Sequence, residues 1–67
     1  MEIRLNGEPY RLDGGTLCDL LALQEIDPAR PGVAIAVNAA VVPRKLWPSV
    51  ALNPGDEIEI VRPHSGG

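Results

Sequence analysis

At 67 residues the chain is expected to be a single domain, and one of that size buries only about 60% of its unfolded surface, which leaves little room for an active-site cleft. Six Lys and Arg against nine Asp and Glu give a net charge of −3, so the clustered cations that bind nucleic acid are missing and a positively charged partner fits better. One cysteine excludes an intrachain disulfide or a cysteine-pair metal site, and with no apolar run of about 18 residues and no signal-peptide core the expected location is cytoplasmic, away from membranes.

Ile3 and Leu5 alternate with Glu2 and Arg4, and Tyr10 and Leu12 alternate with Arg11. Between them Asn6-Gly7 is a strong hairpin signal, so the chain opens as a β-hairpin. Pro9 has no N–H to donate and belongs at the start of the second strand or on a sheet edge. After the turn Asp13-Gly14-Gly15, Thr16 supplies an N-cap hydroxyl with Asp19 three residues on. This is a capping box in which Asp replaces Glu or Gln, and a helix begins at Leu17. Leu17, Leu20 and Leu21, with Ala22 at the margin, form one apolar stripe, while Asp19, Gln24 and Glu25 stay wet. The helix is expected to end at Glu25 or Ile26, because Asp27-Pro28 disfavours helical backbone before the proline. Cys18 in its first turn is either a reactive thiol near the positive end of the helix or a small apolar filler. The filler reading is favoured, since no second cysteine or neighbouring histidine accompanies it.

Arg30-Pro31-Gly32 continues the loop. The almost wholly apolar run Val33-Ala34-Ile35-Ala36-Val37 reads as a strand buried on both faces, the central strand of the sheet. Asn38-Ala39-Ala40 turns the chain into a short return strand, Val41-Val42, closed by Pro43. The next segment, with Arg44, Lys45, Leu46 and Trp47, has two readings. Exposed aromatic and Arg side chains anchor interfaces, which makes it a recognition patch. Alternatively Leu46 and Trp47 cap a small core beneath a loop, slightly favoured because a chain without Phe needs the area of its Trp. Asn53-Pro54-Gly55-Asp56 is a tight turn, with Pro54 fixing φ and Gly55 suited to a positive φ. In the last strand Ile58 and Ile60 face inward, Glu57 and Glu59 outward, and Pro63 ends the ladder. One sheet wraps one helix in an α+β fold. Its expected core is Ile3, Leu5, Leu17, Leu20, Leu21, Val33, Ile35, Val37, Ile58 and Ile60.

The sequence closes on His64-Ser65-Gly66-Gly67. His64 is the only histidine, and a solvated tail does not hold it in a productive geometry for proton transfer. Glycine's missing Cβ lets a backbone thread a channel too narrow for side chains, and it leaves the carboxylate of Gly67 unhindered. A free carboxylate resists nucleophiles until it is activated, for example as a mixed anhydride with a nucleotide phosphate. That chemistry requires a partner.

The Asn6-Gly7 hairpin, the Gly15-Thr16 entry to a leucine-bearing helix, Val37-Asn38, Val42-Pro43-Arg44 followed by Trp47, Leu52 with Gly55-Asp56, and Gly66-Gly67 coincide in order. Together they resemble the sulfur carrier proteins of thiamine biosynthesis, the ThiS family of ubiquitin-like β-grasp domains, over essentially the whole length. The Val-Pro-Arg-x-x-Trp stretch and the Gly-Asp turn favour this branch over the small subunits of molybdopterin synthase. Pro63-His64 departs from the pattern, and the proline stiffens the segment before the tail. The resemblance implies one β-grasp domain over residues 1–67 with a flexible tail 63–67, in which a mixed curved sheet packs on one main helix with its first and last strands parallel in the centre. It also implies a cycle. An E1-like adenylating enzyme uses ATP to form an acyl-adenylate on Gly67, and a sulfur donor of cysteine desulfurase or rhodanese-like type converts it to a thiocarboxylate. Thiazole synthase then takes the sulfur. On this reading the chain is a cosubstrate and not an enzyme, and binds no cofactor of its own. Gly66, Ser65 and His64 enter the partner, and Glu57, Glu59, Arg44 and Trp47 are the expected partner surface. Two alternatives stay open: the same activated terminus serving molybdopterin, cysteine or secondary-metabolite synthesis or protein modification, and an interaction module whose tail is never activated.

Overall fold

Alternating apolar and polar residues make strands of both ends of the chain, and the computed structural model, which describes residues 1–63, sets them side by side. Strands β1 (Glu2–Leu5) and β2 (Glu8–Arg11) form the expected antiparallel hairpin, with Ile3 opposite Tyr10 and Arg4 opposite Pro9. β2 is an edge strand, the place where a sheet tolerates proline. Helix α1 (Leu17–Leu23) is followed by β3 (Ala34–Val37), β4 (Ala40–Val41), a 3₁₀ helix (Arg44–Ser49) and β5 (Glu57–Val61). The strands make one sheet in the order β2-β1-β5-β3-β4, with β5 parallel to β1 and antiparallel to β3. First and last strands therefore lie parallel at the centre, as the resemblance implies.

That order corrects the reading of Val33–Val37. The central strand is β5, and β3 lies between it and β4. Nor is the run buried on both faces: Ile35 is fully inside, whereas Ala34 is exposed. Alanine is apolar in type but small enough to sit on an open sheet face, so a continuous apolar run does not by itself prove two covered faces. The return strand begins one residue early, at Ala40. Asn38 and Ala39, with φ of 50° and 69°, make a two-residue turn that brings Ala40 opposite Val37.

The helix start follows the sequence closely. Thr16 Oγ1 accepts the Asp19 N–H at 3.1 Å, and the Asp19 carboxylate accepts the N–H groups of Thr16 at 3.2 Å and Gly15 at 3.1 Å. A Cβ on Gly14 would overlap the Asp19 side chain, so a side chain there would push the carboxylate out of the box. Hydrogen bonding with the Thr16 side chain, then with the Thr16 N–H, holds Asp19 below the ordinary aspartate range; partial desolvation opposes this and the Gly15 N–H assists. Asp19→Asn should consequently be less stable than wild type at neutral pH, with the gap closing on acidification. A carboxyl depressed in the folded state adds stability above its unfolded value of about 3.9 and loses it as pH falls through the lower folded value. Thermal melts of both proteins from neutral to strongly acidic pH check this, and a gap of constant size would overturn it.

The helix ends at Leu23, earlier than expected. Glu25 takes the left-handed position with φ of 56°, its N–H donating to the Ala22 carbonyl at 3.1 Å while the Ile26 N–H donates to Leu21 at 2.9 Å. Glycine usually fills that position, so the stop signal is disguised. The closure turns Ile26 into the core beside Leu21. Most expected core residues are buried, and Leu12, Ile26, Trp47 and Leu52 join them. Leu5 and Val37, each the last residue of its strand, are only partly buried at the margin.

Candidate functional site

The segment that leads to the glycine pair leaves the fold from β5, and two asparagines lock that strand. β1 stops at Leu5 because Asn6 turns into the left-handed region with φ of 51°. Its side chain then continues the ladder: Oδ1 accepts the Ile60 N–H at 2.9 Å and Nδ2 donates to the Ile60 carbonyl at 3.3 Å. On the other flank Asn38 accepts the Glu57 N–H on Oδ1 at 2.9 Å, and its own N–H donates to the Glu57 carbonyl at 2.7 Å. Asn38 Nδ2 also donates to Asp56 Oδ1 at 3.0 Å. Sequence reasoning took both residues as turn formers and missed this second task. The signal was their type, since Asn combines tolerance of positive φ with one donor and one acceptor group.

Glu57 and Glu59 stand on the open face of β5, where the sequence put them, and Glu57 pairs with Arg4 at 3.9 Å. Both side chains of that pair are at least half exposed, so it contributes little to stability. Beside Glu59 lies an apolar strip whose assembly from three strands sequence reasoning did not foresee. Val41 and Val61 are 77% and 63% exposed, and with Ala34 and Ala36 they line a shallow groove. Val61 faces outward in phase with Glu57 and Glu59, as the alternation of the last strand predicts, and the neighbouring Val41 extends the strip.

The other two surface candidates are placed differently. Trp47 is only 2% exposed, and its indole N–H donates to the Val42 carbonyl at 2.9 Å. It is a core residue and presents no ring face to a partner. The Arg44 guanidinium lies over that ring, 4.5 Å from its centroid. It donates to the carbonyls of Pro28, Arg30 (2.7 Å) and Val33 (3.4 Å), so it is tied to the α1–β3 loop although it stays on the exposed surface. Leu46, expected to help cap the core, is exposed instead, because the 3₁₀ turn sends it and Trp47 in different directions. Cys18 is not a filler: it is exposed, with Sγ 3.9 Å from the Trp47 carbonyl. His64, Ser65, Gly66 and Gly67 lie outside the described residues.

Among the described residues no three His, Cys, Asp or Glu side chains gather as a metal site, and no helix is long and apolar enough to cross a membrane. What the fold assembles is a locked strand that delivers the C-terminal segment and, beside it, an open face of two carboxylates and an apolar strip. The open surface of this fold thus lies along its last strand.

Comparison with known proteins places the chain in a family. Residues 3–67 match the model of the ThiS family. The sulfur carrier protein ThiS of Escherichia coli is 30% identical over 67 residues, covering all of both chains. A thiazole synthase of Magnetococcus marinus is 40% identical over the same 67 residues, and there the chain spans only 20% of that protein's length. In three dimensions the crystal structure of the thiamine biosynthesis protein ThiS of Geobacter metallireducens matches with a TM-score of 0.79 at 26% identity, each chain fully covered. The mixed five-stranded sheet on one helix is thus the ubiquitin-like β-grasp fold.

Proposed function

The chain belongs to the ThiS family of sulfur carrier proteins, and from that premise we propose that it serves thiamine biosynthesis as a cosubstrate carrying sulfur on the carboxyl group of Gly67. An adenylating enzyme joins the Gly67 carboxylate to the α-phosphate of ATP, releasing pyrophosphate. The terminal sulfur of a cysteine persulfide on a donor protein attacks the acyl carbon and AMP leaves. Cleavage of the sulfur–sulfur bond by a thiol then frees the thiocarboxylate. Sulfur held this way is a strong nucleophile that stays covalently attached until the acceptor takes it. The observation that carries the reading is the family match running from residue 3 through the glycine pair to Gly67. The Magnetococcus marinus relative, where a segment like this whole chain lies within a thiazole synthase, supports that enzyme class as the sulfur acceptor. Intact-mass analysis of the protein purified from its native host during thiamine starvation tests the proposal. A fraction in which one oxygen is exchanged for sulfur is expected, and its absence would sink the reading.

The tail is short, so partners also need the body of the domain. Glu57 and Glu59 are the proposed steering charges, because charge complementarity acts mainly on association rate. Glu57→Lys combined with Glu59→Lys should slow association with the adenylating enzyme about tenfold at low salt and flatten its salt dependence. Stopped-flow binding checks this. An unchanged rate and salt slope would make the face an ordinary solvated one.

A further inference from the structure

The β5 ladder ends with Val61 opposite Ala34, and side-chain contacts hold the next two residues. The Arg62 guanidinium donates to Oε1 of Gln24 at 3.0 Å and to the Gln24 backbone carbonyl at 3.4 Å. Gln24 is the C-cap of α1, and the last carbonyls of a helix have no partner within it. Pro63 lies against Gly32, where an added Cβ would come within 3.2 Å of the proline ring. Gly32 has φ of 90°, and its loop is the one whose carbonyls Arg44 holds on either side. The chain therefore leaves the body between a helix end and a clamped loop. Four residues follow Pro63, and fully extended they reach at most about 14 Å. With so short a reach, the direction of departure decides where Gly67 can go.

We propose that Arg62 and Gln24 form a latch that aims the C-terminal segment, making Arg62 a positioning residue for the reaction at Gly67. This rests on reading Gly67 as the activated terminus. With Arg62 and Pro63 already held against the body of the domain, less freedom is lost when a partner seats them, so the latch strengthens binding by preorganisation. Arg62 is exposed and Gln24 only half-buried, so the effect belongs in affinity for the partner and not in the stability of the fold.

The test is ATP–pyrophosphate exchange by the adenylating enzyme of the same organism at saturating ATP, with the carrier concentration varied. Arg62→Ala should raise the KM for the carrier about threefold to tenfold, with kcat within about twofold of wild type. Gln24→Ala should raise KM by a smaller factor, since the backbone carbonyl still accepts. The double variant should be no worse than Arg62→Ala, because both changes act through one contact, and Arg62→Lys should recover part of the loss. Melting midpoints should stay at the wild-type value. A silent Gln24→Ala, or losses that multiply in the double variant, would mean that Arg62 touches the partner directly, and the latch would be rejected. Melting midpoints that fall in step with KM would reject it in favour of a structural role. Wild-type protein that supports no exchange would instead reject the Gly67 reading, and the latch with it.

Discussion

Deleting Gly67 should abolish sulfur loading while leaving the fold unchanged. The deletion shortens the chain by one residue, about 3.6 Å when extended, and leaves Gly66 as the terminal carboxylate. A longer flexible tail could absorb such a loss, but this one starts from Pro63, packed on Gly32 two residues after the locked strand β5. The shortened carboxylate would stop short of the nucleotide phosphate in the partner's site. Misplacement by even about 1 Å can cost about 100-fold in rate, so several ångströms should take loading below detection. Cys18→Ser should load normally, because Cys18 lies on α1, at the first turn, and a hydroxyl there keeps the helix and its surface. Wild type and both variants, incubated with the cognate adenylating enzyme, ATP and a sulfur donor and read by intact mass, decide the matter. Sulfur on the Gly67 deletion at the wild-type rate, or none on Cys18→Ser, would move the carrier function from the terminus to the thiol.

What was legible in the sequence is what local chemistry alone determines. The Asn6-Gly7 hairpin, the Thr16–Asp19 capping box, the Pro54-Gly55 turn with its φ of 85° and the in-out alternation of β5 each depend on residues within one turn or one strand. Features that depend on a distant neighbour were not legible. Whether Val33–Val37 is covered once or twice depends on where α1 lies, and nothing within the run says so. The left-handed Glu25 is set by the closure of Ile26 onto the core, which outweighs the residue's poor fit to that backbone region. The Arg44 contacts were not legible because its acceptors are carbonyls of a loop about a dozen residues away, a class of partner that leaves no trace in residue type. The site divides the same way. The glycine pair and the outward Glu57, Glu59 and Val61 announce themselves by type and alternation, while the Gln24–Arg62 contact and the strip that Val41 forms beside Val61 need the assembled sheet.

Trp47 settles how the Val-Pro-Arg-x-x-Trp stretch works, and its substitution should have the largest effect on stability of any here. The ring is almost fully buried, and truncating a buried Trp costs about 3 to 5 kcal/mol. Small domains have only about 5 to 15 kcal/mol in total. Trp47→Ala should therefore be mostly unfolded or melt far below wild type. It also removes the surface on which Arg44 stacks, so the loop that Arg44 holds loses one of its supports. Trp47→Phe keeps most of the apolar contact but strands the Val42 carbonyl that the indole N–H satisfied, a loss of about 1 to 3 kcal/mol. It should fold with a lowered melting midpoint. At a temperature where Trp47→Phe is folded, its affinity for the adenylating enzyme separates core from interface. A buried ring predicts binding within about twofold of wild type, whereas an aromatic anchor at the interface predicts a loss of 2 kcal/mol or more, about 30-fold. Weakened binding with an unchanged melting midpoint would return Trp47 to the partner surface.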